Sequence, residues 1–121
     1  MAIAADHHRR NSLRLAHHQA GGSRQFISDT FGRPWRLGLT NVAIGAAGVP
    51  VLRDLRGTRD RHSKPLQATI LAVADELAAA AGLVMGKSEG VPAVVIRGYR
   101  YRPTDERATG IIRPAAEDLF R

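Results

Sequence analysis

Apolar residues recur at three- and four-residue spacing over one long stretch, where Leu66, Ile70, Val73, Leu77, Ala80, Ala81 and Val84 form a single stripe. That period predicts an amphipathic helix from Leu66 to Met85, with Pro65 suited to its first turn and Gly86 to its C-terminal cap. Asp75 and Glu76 fall off the stripe and are expected to face solvent. A β-branched run, Val91-Pro92-Ala93-Val94-Val95-Ile96, ends at Gly98 and reads as a buried strand. From Val42 to Leu52 small and β-branched residues surround Gly45, Gly48 and Pro50, which predicts a closely packed strand or loop. Phe26 and Ile27 finish a further strand. The pattern predicts an α+β fold, with a mixed sheet that contains the strands near Phe26 and Val91 to Ile96 and is packed by the 66–85 helix.

The polar stretches divide these elements. Arg53 to Lys64 is charged, contains Gly57, and reads as a surface loop or short edge strand. Tyr99, Arg100, Tyr101 and Arg102 alternate aromatic and basic side chains before a turn at Pro103-Thr104-Asp105. An edge strand showing two faces is expected there, with a nucleic-acid surface as the alternative. Pro114 opens a short helix through Phe120, and Leu119 and Phe120 are expected to dock on the core. Residues 1–26 lack a clear apolar period and hold four of the five histidines, His7, His8, His17 and His18, among arginines. Neither His-His pair has a carboxylate at ligand spacing, so a divergent, poorly ordered polar arm is expected ahead of a domain at 27–121.

Composition narrows the class. A chain of 121 residues with 44% hydrophobic residues can hold one domain with one core. The absence of cysteine excludes disulfides and thiolate metal sites, and no apolar run reaches membrane-spanning length, so a cytoplasmic setting is expected. The formal charge of +7 suggests anionic partners, either phosphates and nucleotides or nucleic acid. Basic residues are scattered, Asp54 and Asp60 interrupt their densest group, and 5% aromatics leave little to stack bases on. A small basic anion- or nucleic-acid-binding protein, or an inert remnant that binds nothing, is therefore the minor reading.

Candidate chemistry concentrates where the first strand ends. Ser28-Asp29-Thr30 is expected to place a carboxylate and two hydroxyls at the opening of a loop, where ligands of α/β folds collect. Gly32 and Pro34 force a turn, and Arg33 and Arg36 set guanidinium groups on either side of Trp35. One acid, two hydroxyls and two cations fit a metal–phosphate site better than a hydrolytic triad. Asp29 and Thr30 offer hard oxygens to magnesium or manganese, and Arg33 and Arg36 offer contacts to phosphate or substrate. Further along, Gly82-Leu83-Val84-Met85-Gly86-Lys87-Ser88 has three residues between its glycines where a P-loop needs four. It also follows a helix instead of opening one, so a Walker fold is rejected.

The run Ser28-Asp29-Thr30-Phe31-Gly32-Arg33-Pro34-Trp35-Arg36, with Val42-Ala43-Ile44-Gly45 and Gly48, resembles the signature of the coenzyme F-420:L-glutamate ligase family. The resemblance continues through Ala72 to Ala78, Met85-Gly86-Lys87, Gly90-Val91-Pro92, Ile96-Arg97-Gly98 and Ile112-Arg113-Pro114 with Asp118 to Arg121. It implies the C-terminal part of the γ-glutamyl ligase fold and an intertwined homodimer. The implied activity is GTP-dependent addition of L-glutamate to a deazaflavin cofactor with magnesium or manganese. It also implies metal binding by Asp29 and Thr30, and nucleotide contacts from Gly86, Lys87, Ser88, Glu89, Gly90 and Val91. Leu39, Asn41, Ile70 and Gly82 stand where members of the family carry polar or acidic residues, and residues 1–26 match none of its N-terminal motifs. The resemblance therefore implies a fragment that is inactive by itself.

Overall fold

A computed structural model describes residues 2–5 and 24–118. In chain order the elements are β1 (Ala2–Ala5), β2 (Gln25–Arg33), β3 (Arg36–Ala47), β4 (Arg53–Asp54), β5 (Ile70–Leu71), α1 (Val73–Met85) and β6 (Val94–Arg97). Single 3-10 turns follow at Ala108–Ile111 and Ala115–Glu117. Strands and a helix coexist as the α+β reading expects, but the mixed sheet does not form. Among the described residues all strand pairing is antiparallel, in three two-stranded ladders: β1 with β6, β2 with β3, and β4 with β5.

The long β2–β3 hairpin dominates. Its turn falls at Pro34-Trp35, where proline fixes φ, and Arg33 pairs with Arg36 across it. Ser28-Asp29-Thr30 thus lies in mid-strand and not at a loop opening. The small and β-branched residues from Val42 supply β3 as far as Ala47, where the expected strand-or-loop resolves as strand. Gly48, at φ +68, then turns the chain out of the ladder. Ile27 pairs with Gly45 but Ser28 with Ala43, so Ile44 is an extra residue bulged out of β3.

The helix packs chiefly on β3. It begins at Val73, seven residues later than the apolar period predicts. Residues 66–71 are drawn away by backbone hydrogen bonds to the preceding loop: Leu66 N–H donates to Thr58 O, Gly57 N–H to Leu66 O, and Leu55 N–H to Thr69 O. An i, i+4 apolar spacing is shared by helix and by this loop pairing, and the tertiary partner decides. At the other end Gly86 takes φ +61 and its N–H donates to Gly82 O, as the cap expectation requires. The stripe of Val73, Leu77 and Ala81 is buried, joined by Ala74 and Ala78.

With Val49, Val51 and Val91 these residues make the core of the described chain. Val51, 1% exposed, is its anchor: its carbonyl accepts from Ala74 N–H at 3.2 Å and its N–H donates to the Glu106 carboxylate at 2.9 Å. Strand β6 starts at Val94 and not Val91, because Pro92 has no N–H to give a ladder. Gly98, at φ +85, ends it, so Tyr99 to Arg102 leaves the sheet and is not the expected edge strand. The short helix expected from Pro114 reduces to the 115–117 turn, and the docking expected of Leu119 and Phe120 lies outside the described residues, as does the polar arm at 6–23.

Candidate functional site

Side chains alternate across β2. Ser28 and Thr30 are half-buried, whereas Ile27, Asp29 and Phe31 are exposed. Residues paired directly across an antiparallel ladder share a face. Thr30 with Asn41 and Ser28 with Ala43 therefore turn towards α1, while Asp29 with Val42 and Phe31 with Thr40 turn outward. Two contacts fix the helix to the inner face. Ala43 N–H donates to the Asp75 carboxylate at 2.9 Å, and Gly82 lies so close to Asn41 that a Cβ on it would overlap the amide group. Asp75, expected to face solvent, instead anchors the first helical turn to β3; Glu76 is exposed as expected.

Asp29 Oδ1 accepts from Thr30 N–H at 2.7 Å and lies 3.5 Å from the Thr30 hydroxyl. Its second oxygen has no hydrogen bond among the described residues, and the residue is exposed. One carboxylate with one hydroxyl is a hard-oxygen donor set that fits a divalent cation in part, leaving most of the coordination to water or phosphate. Among the described residues no group of three or more His, Cys, Asp or Glu side chains converges to hold a metal.

The other predicted site residues are distributed. Arg33 and Arg36 sit at the hairpin tip, four ladder positions from Asp29, or roughly 13 Å of strand rise. Arg33 is folded back, donating through Nη2 to Leu37 O at 2.9 Å, with its Nε buried and unpartnered. Gly86, Lys87, Ser88, Glu89, Gly90 and Val91 leave the helix in an irregular loop. The helix meets Ala43 near its start and Asn41 near its end, so it advances along β3 in the direction of the hairpin tip. The loop thus starts from the inner face, opposite the Asp29 carboxylate.

Within the loop, Ser88 N–H donates to Glu89 Oε2 at 3.1 Å. The backbone N–H groups of Glu89 and Ser88, with a smaller contribution from Lys87, hold the Glu89 carboxyl below its usual range. That carboxylate lies against Gly86, whose φ of +61 is the conformation that favours glycine there. In this loop, where the resemblance implies nucleotide contacts, the backbone N–H groups face the chain's own anion. Lys87 is exposed with no ion pair among the described residues.

Several neighbouring features are structural. Asp60 accepts from His62 and Lys64 N–H at 2.8 and 2.9 Å and organises the turn in which Ser63 takes φ +61. Asp54 is held bidentately by Arg56, whose hydrogen bonds lower its carboxyl to about 2. Tyr99 and Tyr101 stack at 5.7 Å, with the Arg24 guanidinium over the Tyr101 ring. A cavity of about 380 Å³ between Val51, Leu52 and the 105–110 segment includes none of the predicted site residues. Sequence reasoning missed Asp75 and Glu106. Each accepts from a backbone N–H 32 or 55 residues away, and no local spacing marks such a pair.

A helix packed on an antiparallel hairpin that carries an Asp-Thr pair defines a small α+β chain. Residues 21–98 match the family F420-0:Gamma-glutamyl ligase, and the chain belongs to that family. It is 51% identical over 98 residues to the Coenzyme F420:L-glutamate ligase of Methanothermobacter thermautotrophicus, covering 78% of this chain and 39% of that protein. It is 52% identical over 102 residues to the Methanopyrus kandleri protein of the same name, covering 78% and 40%. Against the Methanocaldococcus jannaschii protein, also of that name, identity is 44% over 96 residues, with 78% and 39% covered. The chain thus spans about two fifths of the length of the curated relatives it matches. No helix among the described residues is long and apolar enough to cross a membrane.

Proposed function

We propose that this chain is the C-terminal part, residues 27–121, of a coenzyme F420-0:L-glutamate ligase, and that it does not turn over by itself. The observation that supports this most is the identity of 51–52% to two ligases, together with a family match that takes in both Asp29 and Lys87. A carboxylate does not condense with an amine at neutral pH without a leaving group. In the proposed reaction the γ-phosphoryl of GTP passes to the deazaflavin carboxylate. The glutamate amine then attacks the acyl carbon, and phosphate departs as the amide forms. Asp29 and Thr30 would hold magnesium or manganese, which supplies charge neutralisation for the phosphates. Lys87 and the 86–91 loop would contact the nucleotide once Glu89 releases its backbone donors. Arg36 would meet phosphate or substrate, and Arg33 would do so after leaving Leu37 O.

The proposed setting is cytoplasmic, and the proposed assembly is a homodimer. Catalysis of this kind rests on positioning, and residues that act as a unit fail together.

Calorimetric titration with manganese and GTP tests the assignment. Replacing Asp29 by alanine is expected to weaken manganese-dependent GTP binding by about tenfold, as loss of one charged ligand implies. Unchanged binding would refute the metal assignment. Purified chain given GTP, manganese, glutamate and unglutamylated deazaflavin is expected to release no GDP above background, and glutamylated product would show that the chain suffices.

A further inference from the structure

Between Val51 and Leu52 on one side and the 105–110 segment on the other lies a cleft of about 380 Å³, in the size range of small-ligand sites. Its floor is fixed to the core. Val51 is buried, its carbonyl accepts from Ala74 N–H in the first turn of α1, and its N–H donates to Glu106 Oε2 at 2.9 Å. The opposite wall is braced as well. Glu106 N–H donates to the Thr104 hydroxyl at 3.2 Å, and the 108–111 turn closes on Val51, whose Cγ2 would stand 3.4 Å from a Cβ on Gly110.

That wall carries charge of both signs that the chain does not neutralise. The side chains of Asp105 and Arg107 make no hydrogen bond or ion pair among the described residues, although one residue separates them in sequence. Glu106 spends Oε2 on Val51 N–H, and its Oε1 makes no hydrogen bond among the described residues. The Thr109 hydroxyl is likewise without a partner there, and all four residues are exposed to solutes. A phosphate or a dicarboxylate would set its negative charges against two acids for one guanidinium. A simple amine would leave the guanidinium unmet. A molecule with an ammonium and a carboxylate on one short skeleton satisfies both: the ammonium donates to Asp105 and to Glu106 Oε1, the carboxylate accepts from the Arg107 fork, and the carbon skeleton lies over Leu52 and Val51. Two acids and one arginine leave one negative charge unbalanced, so a ligand side chain that is itself acidic is repelled and a cationic one is attracted. We infer that this cleft binds a small α-amino acid with a neutral or cationic side chain, at a site separate from Asp29 and the 86–91 loop, none of which lines it. The inference does not rest on the ligase reading. Binding is measured with the amino acid alone, so it and GDP release fail separately.

The test titrates the full chain by calorimetry, without GTP or metal, with L-lysine, L-alanine and L-glutamate, and with butylamine and butyrate as single-charge probes. L-lysine is expected to bind saturably at one site with a Kd on the order of 1 mM, and L-glutamate at least about fivefold more weakly, with L-alanine between them. Butylamine and butyrate are expected to give no saturable heat. Arg107→Gln and Asp105→Asn are each expected to weaken L-lysine binding by at least about fivefold. Neither side chain has a partner among the described residues, so both variants keep the circular dichroism and Tm of the parent. Arg100→Gln, exposed and outside the cleft, is expected to leave binding unchanged. Absence of saturable amino-acid binding up to about 50 mM would overturn the inference. So would binding that survives both substitutions, an equal response to butylamine alone, or L-glutamate bound as tightly as L-lysine.

Discussion

Replacing Asp75 by alanine removes the acceptor for Ala43 N–H and tests how the helix is held to the hairpin. The bond is 2.9 Å long, half-buried, and made to an ionised group. A hydrogen bond to a charge contributes about 1.5–3 kcal/mol, and the orphaned amide cannot regain a full water partner beneath the helix. Partial exposure argues for the lower end, about 2 kcal/mol. Two smaller effects oppose each other. Alanine's higher helix propensity returns roughly 0.5 kcal/mol, and loss of a first-turn acid from the helix dipole removes a similar amount. The expected loss is therefore about 2 kcal/mol, or a fall in Tm of about 8 °C for a chain of this size. Asp75→Asn keeps an acceptor without the charge and should lose about half as much. Glu76→Ala, in the same turn but exposed, should change stability by less than about 0.5 kcal/mol. Urea unfolding followed by helical circular dichroism measures all three. An Asp75→Ala loss below about 0.5 kcal/mol, or an asparagine variant as unstable as the alanine one, would refute the anchoring role.

Two further outcomes follow from other contacts. Gly82→Ala should gain less than the roughly 1 kcal/mol that alanine offers a helix, because the new methyl displaces the Asn41 amide; adding Asn41→Ala should remove that conflict and leave the double variant at least as stable as the single Asn41→Ala variant in thermal melts. Asp54 and Glu89 both have carboxyls held below their ordinary values, by Arg56 and by backbone N–H groups respectively. Groups with lowered folded-state values contribute stability above their unfolded values of 3.8 and 4.5 and lose it as pH falls through the folded ones, for Asp54 at about 2. Acid titration of stability should therefore fall off below about pH 4.5, less steeply in the Asp54→Asn variant; an identical slope would remove the pair from the account.

Some of this molecule is determined by sequence at short range. The helix body, its glycine cap and its buried stripe follow from the 3.6-residue period of Val73, Leu77 and Ala81. The turn at Pro34 and the strand ends at Gly48 and Gly98 follow from backbone restrictions carried by single residues. The separated motifs around Asp29 and Lys87 were enough to place the chain in its family, because they are local and specific.

What tertiary structure decided is where competing local options met a distant partner. Residues 66–71 have a helical period yet pair with the 53–58 loop, whose backbone donors reach them first. Asp75 and Glu76 both fall off the apolar stripe, and only the packing of the helix on β3 brings the amide of Ala43 to one of them. Asp29 reads as a loop ligand in sequence but stands in mid-strand on the outer face of a hairpin, with Arg33, Arg36 and Lys87 carried elsewhere. Strand alternation and the direction of one helix set those positions, and both depend on contacts between residues far apart in the chain.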